Sequence, residues 1–203
     1  MKSKWLVPGI IVAVIAVLGL WIGGTYNSLV QQRETVVTSF GNLQTQYQRR
    51  ADLIPNLVNT VKGSSNFEQE TLNQVVSARA KATGISVDAS TATPEQMQSY
   101  IDAQNGVTSS LSKLLAVVES YPDIKSTAAY QDLMSQLEGT ENRIQVARSD
   151  FNNTARPYNA RLQTFPTNLI AGLFGFTQRP YFQADAGSEA APTVQFDNTT
   201  TAQ

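Results

Sequence analysis

The residues that most often do chemistry in proteins are scarce in this chain. It contains no cysteine and no histidine. Without cysteine, thiolate nucleophiles, disulfides and zinc–thiolate sites are excluded, and without histidine the commonest general base and transition-metal ligand is missing. The chemistry that remains belongs to carboxylates, guanidinium groups and hydroxyls.

Two carboxylates have a spacing that would bring them together. Glu138 and Glu141 are three residues apart, so on a helix they share a face. Oxygen ligands suit Mg²⁺, Ca²⁺ or Mn²⁺, whereas the Glu-x-x-His pattern of helical di-iron sites is impossible without histidine. A metal-dependent hydrolase would need more carboxylates at the same place. We therefore expect a structural role, and the sequence predicts no catalytic residue, no metal ligand and no cofactor.

The motifs of several other functional classes are also missing. No G-x-S-x-G elbow occurs, and no glycine-rich loop follows a strand-like segment. Lys2 and Lys4 precede a long apolar run, which leaves 13 basic and 16 acidic residues in the rest of the chain. A weakly acidic domain lacks the basic surface that nucleic acid requires, so we expect no nucleic-acid partner.

Residues 5–24 form an uncharged apolar run that predicts a transmembrane helix. As a helix the run would be about 30 Å long, which matches the hydrocarbon core of a bilayer. Eleven of its residues are Leu, Ile or Val, and together they favour insertion by about 3 to 6 kcal/mol. The alternative is a cleaved signal peptide, but its apolar region is usually shorter and is followed by small residues, where this chain has Trp21 and Ile22.

The flanking charges predict the orientation of this helix in the cell (inner) membrane. Lys2 and Lys4 should keep residues 1–4 as a cytoplasmic stub, and the rest should be periplasmic or extracellular. Besides the lipid around residues 5–24, we expect a membrane-protein partner or self-association. Gly19 and Gly23 have the G-x-x-x-G spacing that lets two membrane helices approach closely, although glycine is also simply common in such helices.

The first part of the soluble domain has the pattern of one long helix. Apolar side chains recur at alternating steps of three and four, which is typical of helices packed nearly parallel to their neighbours. The helix should continue from the membrane, kink near Asp52 because of Pro55, and end at Gly63. The positions in this seam are Leu29, Val36, Phe40, Leu43, Tyr47, Arg50, Ile54, Leu57 and Val61.

Three further helices are predicted. A shorter one covers about 66–82, with Leu72, Val75 and Val76 apolar, and a loop covers 83–93. Thr93-Pro94-Glu95-Gln96 is a capping sequence for a helix whose seam ends at Val118. The last helix covers about 126–164, contains Pro157, and has apolar positions continuing to Phe165.

The predicted fold is therefore all-α: an N-terminal transmembrane helix that continues into an elongated up-and-down antiparallel four-helix bundle over residues 25–165. The alternative is three long helices of which the first is broken.

Several segments resemble the LemA family in order and spacing. That resemblance implies a bacterial protein with an N-terminal membrane helix and a helical bundle, whose biochemical role is not established. Many members have an aromatic residue and a histidine after the segment that ends at Gly63, where this chain has Ser64-Ser65-Asn66-Phe67-Glu68. The segments are Y-N-S-L-V-Q-Q-R-E (26–34), R-R-A-D-L-I-P-N-L-V-N-T-V-K-G (49–63), L-S-K-L-L-A-V-V-E-S-Y-P (111–122), L-E-G-T-E-N-R-I (137–144), A-R-S-D-F-N (147–152), Y-N (158–159) and F-P (165–166).

Charged residues inside these segments form the candidate site. Arg50 occupies a seam position, where a charge is costly unless it is paired. We interpret the set as a structural polar network that fixes helix register, in preference to a metal or substrate site. Its members are Arg33, Glu34, Arg50, Asp52, Glu119, Glu138, Glu141, Arg143 and Arg148.

The segment 166–182 is apolar and should return to the membrane surface, since an up-and-down bundle of four helices ends where it began. We expect it to rest in the lipid interface or against a membrane partner, and the alternative is that it folds over the open end of the bundle. Residues 183–203 are small and polar, which predicts a disordered tail. The expected membrane contacts are Leu169, Ile170, Leu173, Phe174 and Phe176.

Together these features favour a membrane-anchored scaffold or interaction protein of the bacterial cell envelope. An accessory factor of envelope stress or membrane-protein quality control is the alternative. A divalent-metal-dependent hydrolase is a further alternative that the residue types disfavour.

Overall fold

The computed structural model describes residues 6–63 and 67–183, and six helices lie in these ranges. Their bounds are α1 Leu6–Lys62, α2 Gln69–Gly84, α3 Pro94–Val118, α4 Pro122–Lys125, α5 Ala128–Gln163 and α6 Thr167–Leu173. The predicted all-α fold is confirmed. Trp5, Ser64 to Asn66 and the predicted tail beyond residue 183 lie outside the described residues.

The heptad pattern of α1 correctly identifies the side chains that face the bundle. All nine seam residues from Leu29 to Val61 are buried, and none exposes more than 2% of its surface. Both α1 and α5 continue through their prolines, Pro55 and Pro157. The spacing of buried positions therefore outweighs the local preference of proline to break a helix.

The long helices pack in alternating directions. Arg50 of α1 contacts Gln104 of α3 and Glu141 of α5, whereas nearer the apolar run Phe40 contacts Tyr100 and Phe151. Helices α1 and α3 therefore run in the same direction, and α5 runs in the opposite direction. Helix α2 also runs opposite to α1. This is the up-and-down arrangement that the sequence predicts.

The two ends of the bundle are built differently. We call the end next to the apolar run of α1 the anchor end, and the end near Lys62 the distal end. In the distal half, α2 packs with α1, α3 and α5 around one core cluster. In the anchor half, where α2 is absent, the second core cluster is closed by the 85–93 loop and by residues 176–182.

Some local predictions are wrong. Val76 was expected on the apolar face of α2 but is half exposed. It lies about 100° around the helix from Val75, and the buried face continues from Val75 to Ala82. Phe165 was expected to continue the seam of α5, but it follows the end of that helix and exposes 76% of its surface. The short helix α4, which turns the chain between α3 and α5, was not predicted.

The start of α1 stands apart from the bundle. From Val7 to Leu20 its large apolar side chains are more than half exposed. Among the described residues, α1 is the helix long and apolar enough to cross a membrane. It passes without interruption from this exposed apolar part into the buried seam.

Candidate functional site

Arg50 is the centre of the predicted polar network and is fully buried. Its Nη1 donates to Thr108 Oγ1 at 2.8 Å and to Glu141 Oε1 at 2.9 Å. Its Nη2 donates to Gln104, at 3.0 Å to the carbonyl oxygen and at 2.8 Å to Oε1. One guanidinium group thus joins α1, α3 and α5 at a single level of the bundle.

Tyr47 extends this cluster by one helical turn. Its ring lies against Arg50 at 5.1 Å, and its hydroxyl accepts a hydrogen bond from Arg148 Nε at 3.0 Å. Arg148 also donates through Nη2 to Asn105 Oδ1 at 3.0 Å. Burial raises the pKa of the Tyr47 hydroxyl, although the nearby Arg148 opposes the shift. The cluster therefore holds two cations with one carboxylate, and neutral acceptors complete the bonding.

This geometry is that of a structural link between helices. Glu141 is the single acidic partner of Arg50, and its side chain is only 33% exposed. No three His, Cys, Asp or Glu side chains come together as a metal site among the described residues. Glu138 and Glu141 do lie together, beside a small cavity of about 100 Å³ between α3 and α5 whose walls are largely apolar. Such a place lacks the oxygen ligands that a hard cation needs.

The other predicted members of the network lie apart from it. Arg33 and Glu34 form an exposed contact of 3.5 Å with each other. Asp52 accepts a hydrogen bond from Gln48, Glu119 pairs with Lys125, and Arg143 is exposed. The structure therefore brings together Arg50, Glu141 and Arg148, and the other predicted members do not bond to this cluster.

A second buried guanidinium group, that of Arg179, was not predicted. It lies in the segment after α6 and is 5% exposed. Its Nη1 donates to the Ala92 carbonyl at 2.7 Å and lies 3.7 Å from Met97 Sδ, and its Nη2 is 3.5 Å from the Ser90 carbonyl. Because these acceptors are neutral and mainly backbone atoms, no pattern of charges in the sequence reveals the site.

Two asparagines of α5 hold the backbone of the same segment. The Asn159 side chain accepts from the Arg179 amide and donates to its carbonyl, at 2.9 and 2.8 Å. Asn152 makes the same pair of bonds to Phe182, at 3.0 and 2.8 Å. Asn152 and Asn159 are seven positions apart on a helix, and Arg179 and Phe182 are three positions apart in extended chain. Both separations are about 10 Å, so each asparagine lies opposite its backbone partner. Both asparagines lie in segments that resemble the LemA family. That resemblance is the sequence feature that could have identified them.

The turn after α6 directs the chain to these asparagines. Gly175 has φ of 71°, in the left-handed region that favours glycine. The Phe176 amide donates to the Ala171 carbonyl at 2.9 Å, which is the longer bond of a Schellman C-cap. The chain therefore leaves α6 at a sharp angle and runs back along α5.

Exposed apolar side chains form one surface at the anchor end, which we call the anchor-end patch. It consists of Phe165, Leu169, Leu173 and Phe174, whose exposures range from 50% to 79%. Spacing by four residues places Leu169 and Leu173 on one face of α6, and Phe165 lies two residues before the start of that helix. Phe174 packs against Tyr26, directly beyond the apolar run of α1, with ring centroids 4.9 Å apart.

Two of the expected membrane-contact residues do not belong to this patch. Ile170 is 5% exposed because it lies on the opposite face of α6, where it packs into the bundle. Phe176 is half-buried, packs against the anchor-half core and contacts Tyr26. Leu169, Leu173 and Phe174 remain exposed. At Gly19 and Gly23 an added methyl group would meet nothing within 4 Å in the single chain, so this face of α1 is open.

Several known proteins are similar to this chain in sequence. The model of the LemA family matches residues 39–196. The chain is 29% identical over 179 residues to the magnetosome protein MamQ 2 of Paramagnetospirillum magneticum, which covers 78% of this chain and 64% of that protein. It is 27% identical over 161 residues to the protein LemA of Metamycoplasma hominis, covering 79% and 70% of the two chains. The chain thus spans slightly less than two thirds of MamQ 2, and neither name states a reaction.

Proposed function

The chain belongs to the LemA family, and from that premise we propose that it is a membrane-anchored interaction module that holds a helical bundle against the outer face of the cell membrane. The family and the exposed apolar helix are those of a membrane-associated helical protein. We propose in addition that its role is to hold an interaction surface at a fixed position above the membrane, and not to catalyse a reaction.

The continuity of α1 is the observation that carries this proposal. A flexible linker would let the domain diffuse around its anchor, but here the helix is uninterrupted from Leu6 to Lys62. The bundle is built on the same helix as the apolar run, so its orientation follows that of the run. Such a design suits a protein whose partners lie at a set height above the bilayer.

The anchor-end patch supports the same proposal. The Tyr26–Phe174 contact puts the patch beside the end of the apolar run. Exposed apolar area of this kind is costly in water and favourable in the headgroup region. We infer that Leu169, Leu173 and Phe174 enter the lipid interface and fix the bundle against it.

The absence of cysteine makes the patch directly testable in the full chain. Leu173→Cys carries an environment-sensitive fluorophore after reconstitution into nanodiscs, and brominated lipids serve as quenchers. We expect blue-shifted, strongly quenched emission, because the label should lie among acyl-chain and headgroup groups. Val146→Cys is the matched control, since Val146 is an exposed apolar residue of α5 in the middle of the bundle. Equal quenching at the two positions would contradict contact between the patch and the bilayer.

Partner identity is addressed by crosslinking in membranes. The open face at Gly19 and Gly23 allows close approach of another helix, either from a membrane protein or from a second copy. Recovery of a membrane protease or its clients would favour the accessory role in quality control. Recovery of the chain alone in crosslinked dimers would favour self-association.

A further inference from the structure

A cavity of about 360 Å³ lies in the anchor half, where the loop that follows α2 meets the segment that follows α6. Its walls come from α1, the start of α3, α5 and the chain after Gly175. A volume of this size is within the range of small-molecule sites. It is separate from the Arg50 cluster and from the anchor-end patch.

Three buried polar atoms on residues that line this cavity lack a hydrogen-bond partner in the described part of the chain. They are Arg33 Nε, Tyr158 Oη and Arg179 Nε. Tyr158 is completely buried and Arg179 nearly so. Buried polar groups in proteins are nearly always bonded, so three such atoms at one cavity call for an acceptor.

The charges at the cavity are unbalanced. Two guanidinium groups line it, and none of its lining residues within the described ranges is acidic. Arg33 has an exposed contact with Glu34 at 3.5 Å and lies over the Phe176 ring at 5.7 Å. Arg179 has neutral partners only and makes no ion pair among the described residues. A buried cation without a counter-charge is costly, and an anion would remove that cost.

The ionisation of the neighbouring groups agrees with this charge imbalance. Burial lowers the pKa of the Arg179 guanidinium; Tyr158 opposes this shift, and the charge of Arg33 adds to it. Burial raises the pKa of Tyr158, against the effect of both arginines. Tyr158 therefore remains a hydroxyl that can donate a hydrogen bond. Both arginines and this tyrosine are lining residues of the same cavity.

The start of α3 adds a favourable dipole. Thr93 caps this 25-residue helix and lines the cavity with Pro94 and Thr91. The N-terminus of a long helix carries a partial positive charge and favours anions. The arginines and Tyr158, which belong to other elements, supply the independent donors.

We propose that this cavity binds the phosphate group of a small ligand through Arg33, Arg179 and Tyr158. Two guanidinium groups match the double negative charge of a phosphate monoester, and the remaining volume exceeds what inorganic phosphate alone would fill. The site is independent of the anchoring role. A comparable cavity of about 220 Å³ near Arg50 is a weaker candidate, because Arg50 already has Glu141 as its counter-charge.

The phosphate could belong to a soluble molecule or to a lipid headgroup. Arg33 lies nine residues beyond Gly24, about 14 Å along the helix, whereas a headgroup layer is roughly 5 to 8 Å thick. This distance favours a soluble phosphate compound. The experiment separates the two sources by presenting the phosphate in each form.

The test uses the full chain in nanodiscs of neutral phosphatidylcholine. Inorganic phosphate and glycerol 3-phosphate are titrated by calorimetry, and in a parallel arm the nanodiscs contain phosphatidylglycerol. We expect saturable binding of the soluble phosphates. Arg33→Gln and Tyr158→Phe should each weaken it by about tenfold, the typical worth of a charge-assisted or buried hydrogen bond. Tyr158→Phe is informative because it removes a hydroxyl that has no hydrogen-bond partner in the described chain.

The matched control is Arg161→Gln, which removes an exposed positive charge near the same end of α5 and should leave binding unchanged. Thermal stabilisation by phosphate in the parent chain, lost in Tyr158→Phe, would support the site independently. Saturable thermal stabilisation by phosphatidylglycerol, without any by the soluble phosphates, would assign the same site to a lipid headgroup. The proposal is overturned if neither source binds at millimolar concentration, or if Arg161→Gln weakens binding as much as Arg33→Gln.

Discussion

Arg50 shows how one side chain can hold three helices in register. It is fully buried and bonded to Thr108, Gln104 and Glu141. The low polarity around it makes each of these bonds strong and each loss expensive. Because the acceptors come from α3 and α5, a slip of either helix along α1 would break the bonds that its own residues make to the guanidinium group.

Replacing Arg50 should therefore destabilise the bundle. We expect Arg50→Met to lower the free energy of unfolding by about 3 kcal/mol, because it removes the donor of a largely buried ion pair and leaves the Gln104 side chain without its partner. Urea unfolding in mild detergent, followed by circular dichroism, measures the change. Arg49→Met is the control, since Arg49 is the exposed neighbour on the same helix. Equal stabilities for the two variants would contradict the role given to Arg50.

At the residue scale the sequence predicts the pair but not its surroundings. Arg50 is recognisable because a charge at a seam position needs a partner, and Glu141 was among the candidates. Arg179 is not recognisable in the same way, because its acceptors are carbonyls of a loop. A backbone acceptor is present at every residue, so only the folded path of residues 88–93 identifies the ones that are used.

At the element scale, the segment after α6 is held by side chains instead of a regular ladder. Asn152 and Asn159 each bond both polar backbone atoms of one residue, and the Gly175 turn places the segment in their reach. The segment in turn buries Phe182 in the anchor-half core, where its ring contacts Phe151 at 5.4 Å. It thus closes part of the anchor-half core, to which α2 does not extend.

Loss of one asparagine should release this segment locally. We expect Asn159→Ala to cost about 2 kcal/mol, since it leaves the Arg179 amide and carbonyl buried without partners. Hydrogen exchange of the amides in residues 176–183 should accelerate strongly, while the distal half stays protected. Asn153→Ala, an exposed neighbour on α5, is the control. Unchanged exchange in Asn159→Ala would show that packing alone holds the segment.

The elements themselves were largely predictable because helix periodicity is a local signal. The capping box at Thr93 forms as expected, with Gln96 N donating to Thr93 Oγ1 at 3.3 Å and Thr93 N donating to Gln96 Oε1 at 2.9 Å. The turn through α4 and the path of residues 174–183 were not predictable. Neither has a period, and both depend on tertiary contacts with distant helices.

At the scale of the whole molecule, the orientation in the membrane is the central expectation. Lys2 and Lys4 favour a cytoplasmic N-terminus. Ser135→Cys places a single thiol on an exposed position of α5, and Ser3→Cys places one before the apolar run. In intact cells, a membrane-impermeant maleimide should label position 135 and should reach position 3 only after permeabilisation. Labelling of position 3 alone would reverse the proposed topology.

The length of α1 has a mechanical consequence. Lys62 lies 38 residues beyond Gly24 on the same helix, so with the bilayer boundary at Gly24, as we propose, the distal end would stand about 57 Å from it. Bilayers of different thickness change the tilt of a spanning helix, and tilts of about 20° are ordinary. With a rigid lever of this length, such a tilt carries the distal end sideways by about 20 Å. A change in local membrane thickness would therefore change how far to the side the distal end can reach a neighbouring molecule.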